Sequence, residues 1–337
     1  MNRRVFKPGL VMHLDTALIF PLSFLNGGEE AFGHLAQIPS PQPSPRLGGE
    51  RGRRQRRDAH WCWYILRFFF VLLMACAPLR AQPAPPSLKS DRWTNSLGMI
   101  FVAVPKTAVG FAICETRVKD FNAFAGTKPQ LEATNWNHAL YHGVTPVSAG
   151  PDFPVVNVSW NDAVAFCAWL TDAERKAGTI GAKDSYRLPT DEEWSFAVGI
   201  GGRETGATPR EKSGKLQDVY PWGTQFPPPP GAGNFADQAA FNYFTKWPHI
   251  EGYNDGFVTT SPVGSFRPNQ FGIYDLAGNA LEWCADCYDD SHKQRVLRGG
   301  AWNNCGPRSL LSSYREHVAP GRFSVVTGFR CVLVINQ

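Results

Sequence analysis

Short apolar runs separated by glycine, proline and asparagine are the feature that most constrains the fold of this chain. Four runs have the length and the β-branched or aromatic content of strands, and turn-forming residues interrupt each of them. These runs are MIFVAV, FAICETRV, RVLRGGAW and FRCVLVI. Charged residues make up only 19% against 32 Gly, 27 Pro and 11 Trp, a mixture that disfavours a helical bundle or coiled coil. We therefore expect an α+β fold with little regular secondary structure.

Three segments carry helix signals. Residues 161–177 place apolar side chains at i, i+3, i+4 and i+7, and Ser159 precedes them as the predicted cap. A second helix is predicted to begin at Thr190, because Thr190 and Glu193 have the spacing of a capping box. Residues 118–125 form a weaker third candidate. All three lie among the short strand-like runs, as expected for an α+β domain.

The first part of the chain has the pattern of a leader. Residues 1–60 are interpreted as an extension that is either disordered or the product of a start codon assigned too far upstream. A basic run, an apolar stretch and a small residue follow one another, so 61–81 is the predicted signal peptide and 82–91 a Pro-rich linker. LMAC, ending at Cys76, resembles a lipobox and makes a lipoprotein signal the alternative. We expect a periplasmic or extracellular protein, anchored to a membrane only through a lipidated Cys76.

The charge distribution bears on possible partners. The formal net charge of +5 comes from the first 81 residues, and the remainder is close to neutral. One domain is predicted over 92–337. Because that domain carries no excess of basic residues, we expect no nucleic-acid partner.

Nine motifs in a fixed order carry a family resemblance. They are NSLGMIFV, ETRVKDFNAF, PVVNVSWNDAVAFCAWL, YRLPTDEEWSFA, YPWG, SPVGSF, FGIYDLAGNALEWCAD, RVLRGGAWNN and GFRCV. Together they resemble the sulfatase-modifying-factor family, the domain of formylglycine-generating enzyme, over residues 92–335. The resemblance implies the C-type-lectin-like fold of that family, which has low secondary-structure content.

The resemblance also implies a copper site that this sequence does not complete. Members of the family bind Cu(I) through two cysteines and oxidise a substrate cysteine with oxygen. The matching positions here hold Asn304 and Ser309, and Cys305, one residue late, is the remaining catalytic candidate. An amide or a hydroxyl cannot replace a thiolate toward a soft ion. We therefore expect neither Cu(I) binding nor copper-dependent oxidase activity.

Two structural Ca²⁺ sites are implied by the same resemblance. The first calcium set is Asn234, Phe235, Asp255 and Phe257, with main-chain oxygens from the phenylalanines. The second calcium set is Asp275, Gly278, Asn279, Ala280 and Glu282. Carboxylate, amide and main-chain oxygens are the ligands that Ca²⁺ takes in proteins. The alternative is that the NDG and DLAGN runs are only turns, where Asp, Asn and Gly are common.

Eight cysteines, in a chain expected to be exported, suggest disulfides. The resemblance implies a long-range disulfide between Cys167 and Cys331. Cys284 and Cys287 form a CxxC pair, and we favour a structural disulfide from one of them to Cys305. A zinc or redox role is less favoured, because a zinc site needs four ligands and no second CxxC is present.

Two groups of side chains could suggest further sites. His138 and His142 are four residues apart, and we interpret them as surface or structural residues rather than metal ligands. Arg298, Arg315 and Arg330 could line a pocket for an anion, but we expect them to hydrogen-bond carbonyls among irregular loops.

The preferred function is that of a binding module for a protein or a small ligand. The alternative is a metal-dependent oxidoreductase of the formylglycine-generating type, which would act on a protein cysteine or another oxidisable group. A third hypothesis is a maturation factor for a co-secreted partner, without chemistry of its own. The residues at the two cysteine positions favour the binding module.

Overall fold

A computed structural model describes residues 92–127, 131–132, 135–245 and 247–336. The predicted extension, signal peptide, lipidation site and linker all lie outside the described residues. Within those residues, no helix combines the length and the hydropathy that crossing a membrane requires.

The helices are short apart from one. They are α1 (Val118–Ala125), α2 (Trp160–Ala177), α3 (Asp191–Ala197), α4 (Pro209–Lys212) and α5 (Gln238–Tyr243). Single 3-10 turns lie at Trp136–His138 and Pro307–Leu310. All three predicted helices are confirmed, and α2 begins one residue earlier than expected.

Side-chain caps explain where the two best-marked helices begin. The Ser159 hydroxyl accepts a hydrogen bond from Asp162 N at 3.0 Å, at the start of α2. The Thr190 hydroxyl accepts one from Glu193 N at 3.1 Å, and the Glu193 carboxylate accepts one from Thr190 N at 2.8 Å. The predicted capping box of α3 is therefore confirmed, and it fixes the helix whose Trp194 is completely buried.

The strands of the described residues are short and form three sheets. They are β1 (Trp93–Thr94), β2 (Ile100–Ala103), β3 (Val109–Ala112), β4 (Leu140–Tyr141), β5 (Thr145–Pro146), β6 (Ser185–Arg187), β7 (Leu281–Cys287), β8 (Arg295–Arg298), β9 (Glu316–Val318), β10 (Thr327–Gly328) and β11 (Val332–Val334). The five-stranded sheet has the order β1-β2-β3-β11-β6, and all its neighbours are antiparallel. The four-stranded sheet has the order β10-β7-β8-β9, with only β10 and β7 parallel, and β4 pairs with β5.

All four predicted strands are shorter than their sequence runs, and FAICETRV has the smallest part of its length in a strand. The run FAICETRV leaves the sheet after Ala112, where β3 ends. Glu115 then turns its carboxylate inward and accepts hydrogen bonds from Ala280 N at 3.0 Å and from the Asn279 amide at 2.7 Å. Because this long-range contact fixes Glu115, the chain bends into α1 instead of extending the strand.

The largest hydrophobic cluster joins α1 and α2 to parts of both larger sheets. The Phe121 and Phe166 rings stack with centroids 5.8 Å apart, and Phe329 meets Phe166 edge-on at 5.4 Å. Such aromatic pairs add to the stabilisation that burial provides. A second cluster packs α3 against the five-stranded sheet, and a third lies under the loops around Phe235.

Candidate functional site

The loop after β8 contains the first position at which the family resemblance implies a copper ligand. Gly299 and Gly300 follow the strand with φ of 95° and 75°, values that favour glycine. The Asn304 amide oxygen then accepts a hydrogen bond from Ala301 N at 2.8 Å, and Asn304 N donates to Ala301 O at 3.0 Å. Asn304 therefore closes this turn through its own side chain.

Ser309 stands at the second copper position, in the 3-10 turn that follows. Its hydroxyl donates to Gly306 O at 2.9 Å. Both polar side chains are thus bound to the local backbone, and neither supplies sulfur. The two positions serve loop geometry in this chain.

Cys305 lies between these positions and is half-buried. It packs against the third hydrophobic cluster, as Tyr314 does. Burial raises the pKa of the Cys305 thiol, which disfavours the thiolate that metal binding and nucleophilic chemistry need. The six cysteines of the described residues are free thiols, and Cys284 belongs to the second cluster. The favoured disulfide from the CxxC pair to Cys305 is therefore absent from the described residues.

The two cysteines of the implied long-range disulfide come together. The sulfur atoms of Cys167, on α2, and Cys331, next to β11, are 3.5 Å apart, and both residues are buried. They are free thiols in this structure. The bond itself stays a prediction.

In the first calcium set, Asn234 and Phe235 are buried, whereas Asp255 and Phe257 are partly exposed. Asn234 Oδ1 is buried and has no hydrogen-bond partner among the described residues. The Asp255 carboxylate accepts hydrogen bonds from Phe235 N at 2.8 Å and from Phe257 N at 2.9 Å. Burial raises the pKa of Asp255 to about 7, with the neighbouring Asp237 acting in the same direction. A buried, unpartnered amide oxygen and the partly exposed Asp255 carboxylate are donor types that fit Ca²⁺.

The second calcium set is engaged differently. Both oxygens of the buried Glu282 carboxylate accept hydrogen bonds from Arg330, and one also accepts from the Trp194 indole at 2.9 Å. Asp275 Oδ1 is buried without a partner among the described residues, while its other oxygen accepts from Gly264 N at 2.6 Å. Burial raises the pKa of Asp275 to about 6. The set offers one unpartnered oxygen, but its glutamate is already paired with arginine.

The glycine of the DLAGN run has a structural reason of its own. Gly278 has φ of 76°, and a Cβ there would lie 1.9 Å from Asn234 O. Asn279 N donates to the same oxygen at 2.9 Å. The turn therefore lets two segments cross closely and joins the two predicted calcium sets through Asn234. Among the described residues, no three or more His, Cys, Asp or Glu side chains are grouped to hold a metal ion, so both sets depend on amide and main-chain oxygens.

A buried ionic cluster, here called the arginine network, consists of Asp191, Glu204, Arg298 and Arg315. Arg315 donates to both oxygens of Asp191 at 3.0 and 2.9 Å and also pairs with Glu204. Arg298 pairs with the same Asp191 carboxylate and lies over the Trp194 ring at 4.3 Å. The two arginines also donate to main-chain carbonyls, Arg298 to Ser312 O at 2.8 Å and Arg315 to Ser313 O at 2.7 Å, as expected from the sequence. Arg298 Nε is buried and has no hydrogen-bond partner among the described residues.

The two histidines do not share a helix. His138 ends a 3-10 turn, whereas His142 follows β4 with φ of 50°. Both are exposed. Their interpretation as surface or structural residues is consistent with these positions.

Sequence reasoning missed one carboxylate beside the first calcium set. Asp237 is completely buried, and its carboxylate accepts a hydrogen bond from Asp255 N. The other oxygen caps α5. The available signal was an Asp three residues after Asn234 and two residues before an alanine pair, and it indicates a helix cap before it indicates a metal site.

A pocket of about 250 Å³ opens above the proline-rich loop. Its lining residues include Trp222, Pro229, Pro230, Arg267 and Pro268. In this loop, residues 226–233, the exposed positions are Phe226, Pro227 and Pro230. A pocket with aromatic, proline and guanidinium walls can hold a small ligand.

Comparisons with known proteins identify a family and several relatives of this chain. The chain matches the family model described as "Sulfatase-modifying factor enzyme 1-like domain" over residues 102–335. "Inactive C-alpha-formylglycine-generating enzyme 2" from Bos taurus is 36% identical over 188 residues, which are 53% of this chain and 50% of that protein. "Formylglycine-generating enzyme" from Streptomyces coelicolor is 31% identical over 206 residues, covering 55% and 54%. The solved structure of PvdO from Pseudomonas aeruginosa has a TM-score of 0.45 and 23% identity, covering 67% of this chain and 80% of that one.

The chain belongs to the sulfatase-modifying-factor family, since the family model covers well over half of it. The resemblance stated from the motifs is confirmed, and so is the α+β class. The lectin-like variant of the fold stays a prediction. The chain spans about half the length of the curated relatives it matches.

Proposed function

We propose that this protein is an exported, calcium-stabilised member of the family that binds a protein or a small ligand and lacks copper-dependent oxidase activity. Export rests on the leader sequence, in which a basic run precedes an apolar stretch. The binding role rests on the exposed loops and on the pocket beside Arg267. The absence of oxidase chemistry rests on the loop after β8.

The observation that carries the proposal is the use made of Asn304 and Ser309. Their side chains hold the loop through hydrogen bonds to Ala301 and Gly306. Cu(I) prefers sulfur ligands, and Cys305 supplies one half-buried thiol with a raised pKa. The relative from Bos taurus carries "Inactive" in its name and is the more similar of the two relatives compared, which supports the same assignment.

Calcium binding is supported most strongly at the first set. The buried Asn234 Oδ1 lacks a partner among the described residues, and no Lys or Arg described pairs with the Asp255 carboxylate. A bound cation would satisfy both groups. Asn234, Asp255 and the carbonyls of Phe235 and Phe257 would hold Ca²⁺, which would supply positive charge and join two loops.

The experiment measures Cu(I) binding and oxygen uptake with a cysteine-containing sulfatase-type peptide. We expect neither from the wild-type protein. The matched variant Asn304→Cys with Ser309→Cys restores both sulfurs, and we expect it to bind Cu(I) while the wild type does not. The same double change with Cys305→Ser tests whether the neighbouring thiol takes part. Stoichiometric copper binding and turnover by the wild type would overturn the proposal in favour of an oxidoreductase.

A further inference from the structure

An aromatic surface lies beside the loop that holds Asn304. Four rings form it, and the name aromatic cover is used here for Tyr141, Phe244, Trp247 and Trp302. Their centroids are 4.7 to 6.4 Å apart, and each ring contacts the other three. Tyr243, next to Phe244, is 59% exposed. Two of the four rings follow α5, so the position of α5 determines whether the cover forms.

Helix α5 is too short to be stable on its own. It has six residues, whereas isolated helices of fewer than about 12 residues are marginal in water. Its N-cap is Asp237, whose Oδ1 accepts hydrogen bonds from Ala239 N at 2.8 Å and Ala240 N at 3.3 Å. The helix therefore depends on the placement of the Asp237 carboxylate.

The second oxygen of Asp237 points to the first calcium set. It accepts a hydrogen bond from Asp255 N. The Asp255 carboxylate in turn accepts from Phe235 N and Phe257 N. Asp237 thus joins Asp255 of the first calcium set to α5 through a single buried carboxylate.

The same segment is bound to the loop after β8. Ala236 N donates to Asn304 O at 3.0 Å, and Ile250 N donates to Ala236 O at 2.8 Å. Trp302, two residues before Asn304, is the buried member of the aromatic cover. A movement of the Asn234–Asp237 segment would therefore affect the aromatic cover in two ways. It would act on Phe244 and Trp247 through α5, and on Trp302 through the loop after β8.

We propose that Asp237 couples the first calcium site to the aromatic cover, so that Ca²⁺ held by Asn234, Phe235, Asp255 and Phe257 orders α5 and the rings beside Asn304. The proposal rests on the calcium binding proposed above. It makes Asp237 a positioning residue and the aromatic cover a surface that exists in full only in the calcium-loaded protein.

Linkage requires that this coupling act in both directions. If calcium orders the cover, a change that disrupts the cover must weaken calcium binding by the same factor. Trp247→Ala lies at the end of the segment remote from the metal ligands. We expect it to weaken calcium affinity about three- to tenfold, within the usual range of coupling between sites.

The experiment combines calorimetric titration of Ca²⁺ with hydrogen exchange of the purified mature protein. For the wild type, we expect peptides covering residues 238–249 to exchange at least about tenfold faster after chelation, because local opening becomes easier. Asp237→Asn keeps the size of the side chain and a capping oxygen, but it removes the charge. We expect this variant to exchange quickly in the same peptides even with calcium present.

Thr208→Ala is the matched control, because it removes the side-chain cap of α4, another short helix. It should speed exchange in its own segment and leave calcium affinity unchanged. If the wild type binds calcium but residues 238–249 exchange equally in both states, the coupling is wrong and the calcium proposal stands. If the wild type binds no calcium in the titration, both are overturned. Unchanged calcium affinity in Trp247→Ala would also contradict the coupling.

Discussion

Two buried acidic regions of this domain neutralise their charge in different ways. In the arginine network, the Asp191 carboxylate accepts hydrogen bonds from Arg298 and Arg315. The calcium region is defined here as Asn234, Asp237, Asp255 and Phe257. In this region the Asp237 carboxylate accepts a hydrogen bond from Asp255 N. Among the described residues, no Lys or Arg pairs with either acid of the calcium region.

The pKa directions reflect this difference. Burial alone would raise the pKa of Asp191, but the charges of Arg298 and Arg315 hold it below the usual 3.8. Burial raises the pKa of Asp255 to about 7, where no arginine opposes it. The first region carries its counterions in the chain, whereas the second needs a proton or a cation from solution. The stability of the arginine network is therefore expected to be independent of calcium, whereas the stability of the calcium region is expected to change with pH and calcium concentration.

The largest expected effect is the loss of the network's central carboxylate. Asp191→Ala leaves two completely buried arginines without their shared partner, so we expect the free energy of unfolding to fall by about 3–5 kcal/mol. Urea denaturation with calcium present measures it. Asp191→Asn keeps the shape of the side chain and removes its charge, and Asp290→Ala, at an exposed position, serves as the control. A loss below about 1 kcal/mol would place the network among weak surface pairs.

Calcium removal is expected to have the next largest effect, and only in the calcium region. At a free calcium concentration of about 100 times Kd, bound ion stabilises the folded state by about 2.7 kcal/mol. Chelation should therefore lower the unfolding free energy of the wild type by about that amount.

Variants separate the contributions of the two calcium sets. Asp255→Asn should abolish most of the calcium response, Asp275→Asn reports on the second set, and Asp191→Asn should keep the full response. An unchanged unfolding curve after chelation of the wild type would contradict the claim that the calcium region needs a cation from solution.

The sequence predicted the parts of this arrangement that depend on local signals. The Thr190–Glu193 capping box and the buried face of α3 follow from residues within one or two turns of helix. The change of copper ligands could also be recognised, because residue type alone decides whether sulfur is present at positions 304 and 309. The resemblance to the family showed which two positions of this chain correspond to the copper-binding cysteines.

Long-range pairings could not be predicted in the same way. Arg315 and Asp191 are separated by 124 residues, and nothing in either segment indicates the partner. Glu115 belongs to a run with strand composition, and only its contact with Asn279 shows why it turns inward. Asp237 was missed because its role as a helix cap already explains an Asp at this position, so the sequence gives no reason to look for a metal ligand there.

The smallest expected effect is a difference in the sign of the pH dependence. Asp191 has a folded pKa below its unfolded value of 3.8, so its stabilisation is present above that pH and is lost as the pH falls through the folded pKa. Asp255 has a folded pKa raised to about 7, so its contribution is present below 3.8 and is lost as the pH rises through 7.

Chelated wild type should therefore lose stability between 3.8 and about 7, a window in which Asp275 acts with the same sign. Asp255→Asn removes one titrating group, so its curve should be flatter by about 1–2 kcal/mol across the window, after allowance for screening of a partly exposed carboxylate. Urea denaturation at a series of pH values measures the difference between the two proteins. Saturating calcium should flatten the wild-type curve as well, because the cation replaces the proton at Asp255. Parallel curves for chelated wild type and Asp255→Asn would show that the calcium region is neutralised by a partner within the chain, as the arginine network is.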